Sequence, residues 1–233
     1  MDIIQDLPEG KHNVVVLLSG GADSSIVYYA VCNKFKNRND INVIVLTLDT
    51  DYKDQYVTGA KRIIEIVGKL TGKYPIEHIT DKIPHNNTTY VTHQNVLIRK
   101  AKHKYGLITK QYSGLSLNPP VDDMYKFFEE NYKKFNLDLE IVKRYLYNAR
   151  DESRDNFKEK DWNNFDISGM PFLKLDKKSS AAAYNYYRMM NKLYPYTFSC
   201  EQPPYKFDKN GLPIHCGYCF FCLERWYAFG RII

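Results

Sequence analysis

The stretch Val14-Val15-Val16-Leu17-Leu18-Ser19-Gly20-Gly21-Ala22-Asp23-Ser24-Ser25 limits the possible folds more than any other part of the chain. An apolar run of that length, rich in valine, suits a strand covered on both faces. It ends in two glycines, which permit a sharp turn and let backbone N–H groups come close to a ligand. Directly beyond them Ile26, Val27, Ala30 and Val31 recur at helical spacing. A helix starting at that turn points its unpaired N–H groups and its positive dipole end into it, an arrangement suited to an anion. No lysine follows the glycines as it does in the G-x-x-x-x-G-K-[ST] loop of most NTPases.

The pattern then repeats. Ile41 to Asp49 predicts a second strand, and Val57, Ala60, Ile63, Ile64, Val67 and Leu70 an amphipathic helix. Ile76 to Ile79 predicts a short third strand, Asn86 to Thr92 a polar loop, and Asn95 to Tyr105 a helix stopped by Gly106. Leu107 to Tyr112 predicts a fourth strand, followed by Ser113-Gly114. Alternating strands and helices argue for an α/β fold with a parallel, Rossmann-like sheet and right-handed crossovers. Ligands collect at the carboxyl ends of such strands, where the glycine turn, Asp49 and Gly114 fall. Helices are predicted near 122–134 and 138–150, with Tyr125, Phe127, Phe128, Tyr132, Phe135, Tyr145 and Tyr147 read as core or subunit-interface residues. A further helix is predicted from Ser179 to about Leu193, capped by Asp176 or Ser179. Lysines at its start oppose the dipole, so Lys177 is read as aimed at phosphate rather than as part of a solvated basic turn.

The second constraint lies at the other end. Cys200, Cys216, Cys219 and Cys222 form a C-x15-C-x2-C-x2-C pattern, with Gly217 freeing the turn between two of them. Four thiolates close a tetrahedral zinc shell with no open position, which makes the expected site structural. Two overlapping C-x-x-C steps and a distant fourth cysteine favour metal over redox chemistry, while Cys32, in the first helix, is read as core. The expected organisation is residues 1–195 as the nucleotide domain, with 121–167 an expanded helical insertion, and 196–233 as a zinc-bound segment packed on it. A net charge of +6 suits anionic ligands but is too mild and dispersed to imply nucleic acid. No apolar run is long enough to span a membrane, and the start Met1-Asp2-Ile3-Ile4 is unlike a signal peptide, so the expected compartment is cytoplasmic. The aromatic-rich middle fits a homodimer.

Ser19-Gly20-Gly21-Ala22-Asp23-Ser24-Ser25 resembles the pyrophosphate loop, Ser-Gly-Gly-x-Asp-Ser-[Ser/Thr], of the ATP-pyrophosphatase (PP-loop) superfamily. Together with the cysteine cluster it looks like the 7-cyano-7-deazaguanine synthase (QueC-like) branch. Pro171-Phe172-Leu173-Lys174-Leu175-Asp176-Lys177 is similar to that family's segment before a helix, Ser199-Cys200 to its zinc-site opening, and Cys216-Gly217-x-Cys219-x-x-Cys222-x-x-Arg225 to its ending. The resemblance implies an ATP-dependent ligase that adenylates 7-carboxy-7-deazaguanine and uses ammonia to form the nitrile, releasing AMP and pyrophosphate. It implies that Ser19, Gly20, Gly21, Ala22, Ser24 and Ser25 hold pyrophosphate, that Asp23 places Mg²⁺ and that Lys177 offsets phosphate charge. By the same resemblance Thr47 and Leu48 meet adenine through backbone groups, and Gly114 lies near the ribose or α-phosphate. Three segments differ from the family pattern: Asp49 to Gln55, Thr92 to Asn95, and Ser113 to Pro119. Two other readings follow, a divergent relative adenylating a different carboxylate and a non-catalytic nucleotide-binding module.

Overall fold

The computed structural model describes residues 2–50, 55–83, 90–149, 154, 167–200, 202 and 206–232. The expected differences at Asp51 to Asp54 and, within the 121–167 segment, residues 150–153 and 155–166 lie outside the described residues. Four parallel strands, β1 (His12–Leu17), β2 (Ile41–Thr50), β3 (Glu77–Ile83) and β4 (Lys110–Ser113), form one sheet in the order β3-β2-β1-β4. Val14 pairs with Val43 on one side and Lys110 on the other, so β1 is central.

Burial on both faces follows from the unbroken apolar run, since Val14, Val15 and Val16 are wholly enclosed. Alternation then splits the core into two layers. Val14, Val16 and Leu18 pack with α1 (Ala22–Lys34) and α2 (Gln55–Thr71), whereas Val15, Ile44, Leu46 and Leu48 pack with Leu97, Ile98 and Ala101 of α3 (Tyr90–Tyr105). Cys32 lies in the first layer, and burial pushes its thiol up to about 12. The α3 helix starts five residues ahead of the expected Asn95, because buried His93 continues the stripe of Leu97 and Ala101 at a spacing of four.

The fourth strand begins at Lys110 rather than Leu107. Gly106, at φ +77°, ends α3 in the left-handed region, and Leu107 is left in solvent. The short 3₁₀ turn Ile167–Gly169 covers the outer edge of β4, where Gly169 lies against the Gln111 carbonyl so closely that any side chain would collide. Lys110 donates to Ser168 Oγ across the same edge.

Helices α4 (Val121–Asn131) and α5 (Leu139–Asn148) pack on the last helix, α7 (Phe220–Phe229). Their aromatic residues supply a satellite core: Phe128 is fully buried, and Phe135 stacks on Trp226 at 4.3 Å. The helix expected to run to Leu193 is shorter. As α6 (Lys177–Tyr186) it stops where Arg188 takes φ +58°, with Arg188 N–H bonded to Asn185 O at 3.0 Å and Met189 N–H to Tyr184 O at 2.8 Å. These two bonds close a Schellman motif, which periodicity does not reveal when an arginine replaces the usual glycine. Between α6 and α7 a two-residue antiparallel pair, β5 (Lys206–Phe207) with β6 (Pro213–Ile214), was not expected. No helix among the described residues is long and apolar enough to cross a membrane.

Candidate functional site

Strand β1 delivers the chain to the glycine turn at the carboxyl end of the sheet. Gly20 has φ +78°, and a Cβ on it would lie 2.8 Å from the Gly59 carbonyl carbon in α2, so the turn needs glycine for conformation and for space. Gly21 is the N-cap of α1 and no side chain caps that helix, although its first turn carries Asp23. The serines divide the work. Ser24 Oγ accepts from Ser19 N–H at 3.3 Å, lies 3.2 Å from Ser19 Oγ and contacts Gly21 O, which shapes the turn internally. Ser25 is wholly buried, and its Oγ has no hydrogen-bond partner among the described residues. Ala22 is also buried, and its carbonyl accepts from Tyr184 OH at 2.9 Å. Gly114, at the end of β4, lies against the Asp23–Ser24 backbone with no room for a side chain.

Thr47 is buried behind the turn, donating to Leu18 O at 2.6 Å, with His78 Nε2 2.8 Å from its hydroxyl. Because the hydroxyl donates to the carbonyl, it accepts from a neutral His78 carrying hydrogen on Nε2. Burial, aided by the Lys61 charge, holds that ring below its ordinary value. Leu18 N–H bonds Leu46 O, so the Leu46 peptide faces β1. The Leu48 peptide, two residues on, faces the same side beyond the point where β1 has left the sheet.

Asp176 is the N-cap of α6, accepting from Lys178 N–H at 2.9 Å, which selects it over Ser179. The cap places Lys177, 3% exposed, inside the protein. Its Nζ lies 2.9 Å from Asp23 Oδ2 and 2.8 Å from Glu224 Oε2. Glu224 also binds Arg154, with NH2 at 2.6 Å from Oε1. Burial works against the Lys177 charge, but Asp23 and Glu224 outweigh it and hold the ammonium above its usual value. Burial likewise opposes the Glu224 charge, and Lys177 and Arg154 overcome it to hold the carboxyl low. The other oxygen of Asp23, Oδ1, is buried without a partner among the described residues.

Glu224 and Arg154 were not singled out from the sequence. Glu224-Arg225 is the one charged pair in the otherwise apolar and aromatic Phe220–Phe229, a signal that these charges are buried and paired. Arg154 stands in a charged run that gives no such signal.

The four cysteines come together as expected. Their sulfurs all lie within 4.8 Å of one another, with Cys216 and Cys222 Sγ 3.8 Å apart. A tetrahedral shell with Zn–S of about 2.3 Å separates its sulfurs by about 3.8 Å, so the donor set fits one shared ion. Backbone N–H groups favour the thiolate form: Cys219 N–H donates to Cys216 Sγ at 3.3 Å and Cys216 N–H to Cys200 Sγ at 3.5 Å. His215 is beside the set, Nδ1 3.8 Å from Cys222 Sγ, with its ring stacked on Phe198. Arg225, fully buried, ties the segment down: it donates to Thr197 Oγ1 at 2.9 Å, Ser199 Oγ at 3.0 Å and Ile232 O at 2.8 Å, and lies over the Tyr194 ring. Phe198 N–H bonds Gly20 O at 2.9 Å, joining the cysteine segment to the glycine turn through the backbone.

No known protein family matches the chain, and no curated protein does. Among solved structures it is similar to the U34-tRNA thiolase NcsA from Methanococcus maripaludis with its [4Fe-4S] cluster, at 14% identity and a TM-score of 0.45. That similarity covers 97% of this chain but only 66% of the other.

Proposed function

We propose that this protein is a ligase of the ATP-pyrophosphatase type, which joins AMP to a carboxylate and lets ammonia displace it. The observation that carries the reading is the grouping, at one strand end, of a helix start with no side-chain cap, Asp23 Oδ1 and Ser25 Oγ without partners among the described residues, and buried Lys177. Backbone N–H groups from Gly20 to Ser24 supply donors for the departing pyrophosphate. The Leu48 peptide offers the adenine an edge to pair with. Asp23, through its Oδ1, unpartnered among the described residues, would hold Mg²⁺, which would supply charge neutralisation.

The substrate carboxylate attacks the α-phosphorus, the α–β phosphoanhydride bond breaks, and its electron pair leaves with pyrophosphate. Ammonia then attacks the acyl carbon, AMP departs with one carboxyl oxygen, and a proton is lost to give the amide. A second ATP activates the amide oxygen in the same way, and loss of AMP and protons yields the nitrile. The motifs at 171–177, 199–200 and 216–225 favour 7-carboxy-7-deazaguanine as acceptor. A different carboxylate is the second reading, favoured by the loop after β4. There Arg154 donates to Ser116 O at 3.1 Å and to Leu117 O at 3.2 Å, fastening a segment that departs from the pattern expected to grip the base.

Cys200, Cys216, Cys219 and Cys222 would hold zinc as a closed structural site. A [4Fe–4S] cluster puts each thiolate on a different iron, which suits the close sulfur spacing less well. Elemental analysis of the purified protein is expected to give one zinc per chain, and iron with visible absorbance would replace that assignment. The enzyme assay combines protein, Mg-ATP, 7-carboxy-7-deazaguanine and ammonium, with AMP, pyrophosphate and nitrile expected. ADP with orthophosphate would overturn the reading, and AMP formed only with another carboxylate would select the second one.

A further inference from the structure

We infer that Glu224 is a positioning residue, delivered by the helix that starts at Cys219 and carries Cys222, which keeps Lys177 beside the glycine turn so that the lysine can pass from Asp23 to nucleotide phosphate without leaving its place. The inference rests on the ATP chemistry proposed above. An ammonium has three N–H groups, and Lys177 spends two of them on Asp23 and Glu224. Among the described residues one remains for a ligand oxygen. Asp23 in turn has one oxygen on Lys177 and a second that is buried and unpartnered among the described residues.

Were Asp23 engaged by Mg²⁺, Lys177 would lose one of its two counterions and would keep Glu224 as the other. Lysine has a long stem with freely rotating bonds, so a fixed second partner is what keeps its charge near the place where negative charge develops. Glu224 is itself fixed. It is wholly buried, and its two oxygens meet Arg154 NH2 at 2.6 Å and NH1 at 3.3 Å. Arg154 also donates to Ser116 O, Ser116 Oγ and Leu117 O, which fastens it, and Glu224 with it, to the loop after β4. Cys219 is the N-cap of α7 and Cys222 lies one turn on, so the thiol cluster sets the stretch of helix from which Glu224 projects.

The test uses the full chain with its metal. The double variant Arg154→Gln/Glu224→Gln removes the tether and keeps the remaining buried pair, Asp23 with Lys177, balanced in charge. Affinity for a non-cleavable α,β-methylene ATP with Mg²⁺ should stay within threefold of wild type, while AMP formation at saturating ATP should fall at least tenfold. Glu224→Asp, which keeps the charge but withdraws it by one methylene, should show the same split and serves if the double variant does not retain metal. Wild-type turnover in either metal-loaded variant, or a loss explained wholly by weaker nucleotide binding, overturns the inference. Acylation of Lys177, followed by mass spectrometry, separates this from failure of the proposed function. If wild type forms no AMP, the ATP reading fails. The tether still stands only if Lys177 reacts at least tenfold faster in Glu224→Asp than in wild type.

Discussion

Lys177 illustrates how burial changes the meaning of a residue picked out by sequence. Read as a phosphate-facing lysine, it could be removed at little cost to the fold. In the structure its loss leaves Asp23 and Glu224 sharing too little positive charge in a buried place. Breaking a buried pair by removing one partner costs about 3–5 kcal/mol. Lys177→Met is therefore expected to lower unfolding free energy by about that much as well as to abolish AMP formation, both measurable by urea titration and product assay. Arg188 is the opposite case. It is exposed and at φ +58°, a conformation that disfavours any residue with a Cβ. Arg188→Gly is expected to raise stability by about 1 kcal/mol, read from the denaturation midpoint at unchanged slope.

Among the elements, β2 and β3 meet behind the glycine turn in the chain His78–Thr47–Leu18. The folded state holds His78 below 6.5, so between that depressed value and 6.5 the unfolded chain binds more protons. Its contribution is complete above 6.5 and declines as pH falls toward the depressed value. Thermal melts across that range should show the decline in wild type and a flatter profile in His78→Gln. The sheet was legible because Val14 to Leu18 and Ile41 to Leu48 are apolar on both faces, and α2 because its buried stripe has one period. The cysteine cluster was legible from spacing alone. Ends were harder to place. The α6 terminus depends on an arginine in the left-handed region, and the β4 start on Leu107 being left outside the sheet. The Glu224–Arg154 pair joins residues 70 positions apart, and no local pattern encodes that contact.

At the scale of the whole molecule, α7 is shared property. Its Cys222 belongs to the four-thiol set, Glu224 to the ion cluster, and Leu223 and Tyr227 to the satellite core with α4 and α5. Stripping the metal with a chelator is therefore expected to raise hydrogen exchange in α4 and α5 and in the glycine turn as well as around the cysteines, while β1 and β2 stay protected. Protection unchanged in α4 and α5 would contradict that coupling. The covered flank of β4 has a different consequence. With Gly169 pressed on Gln111, the middle of that edge is closed to a foreign strand. The opposite flank, β3, exposes Lys82 and bears Glu77 and Asp81, whose partners Lys104 and Lys100 stand over it. A sheet covered on one side and guarded by charge on the other is a poor template for fibrous stacking.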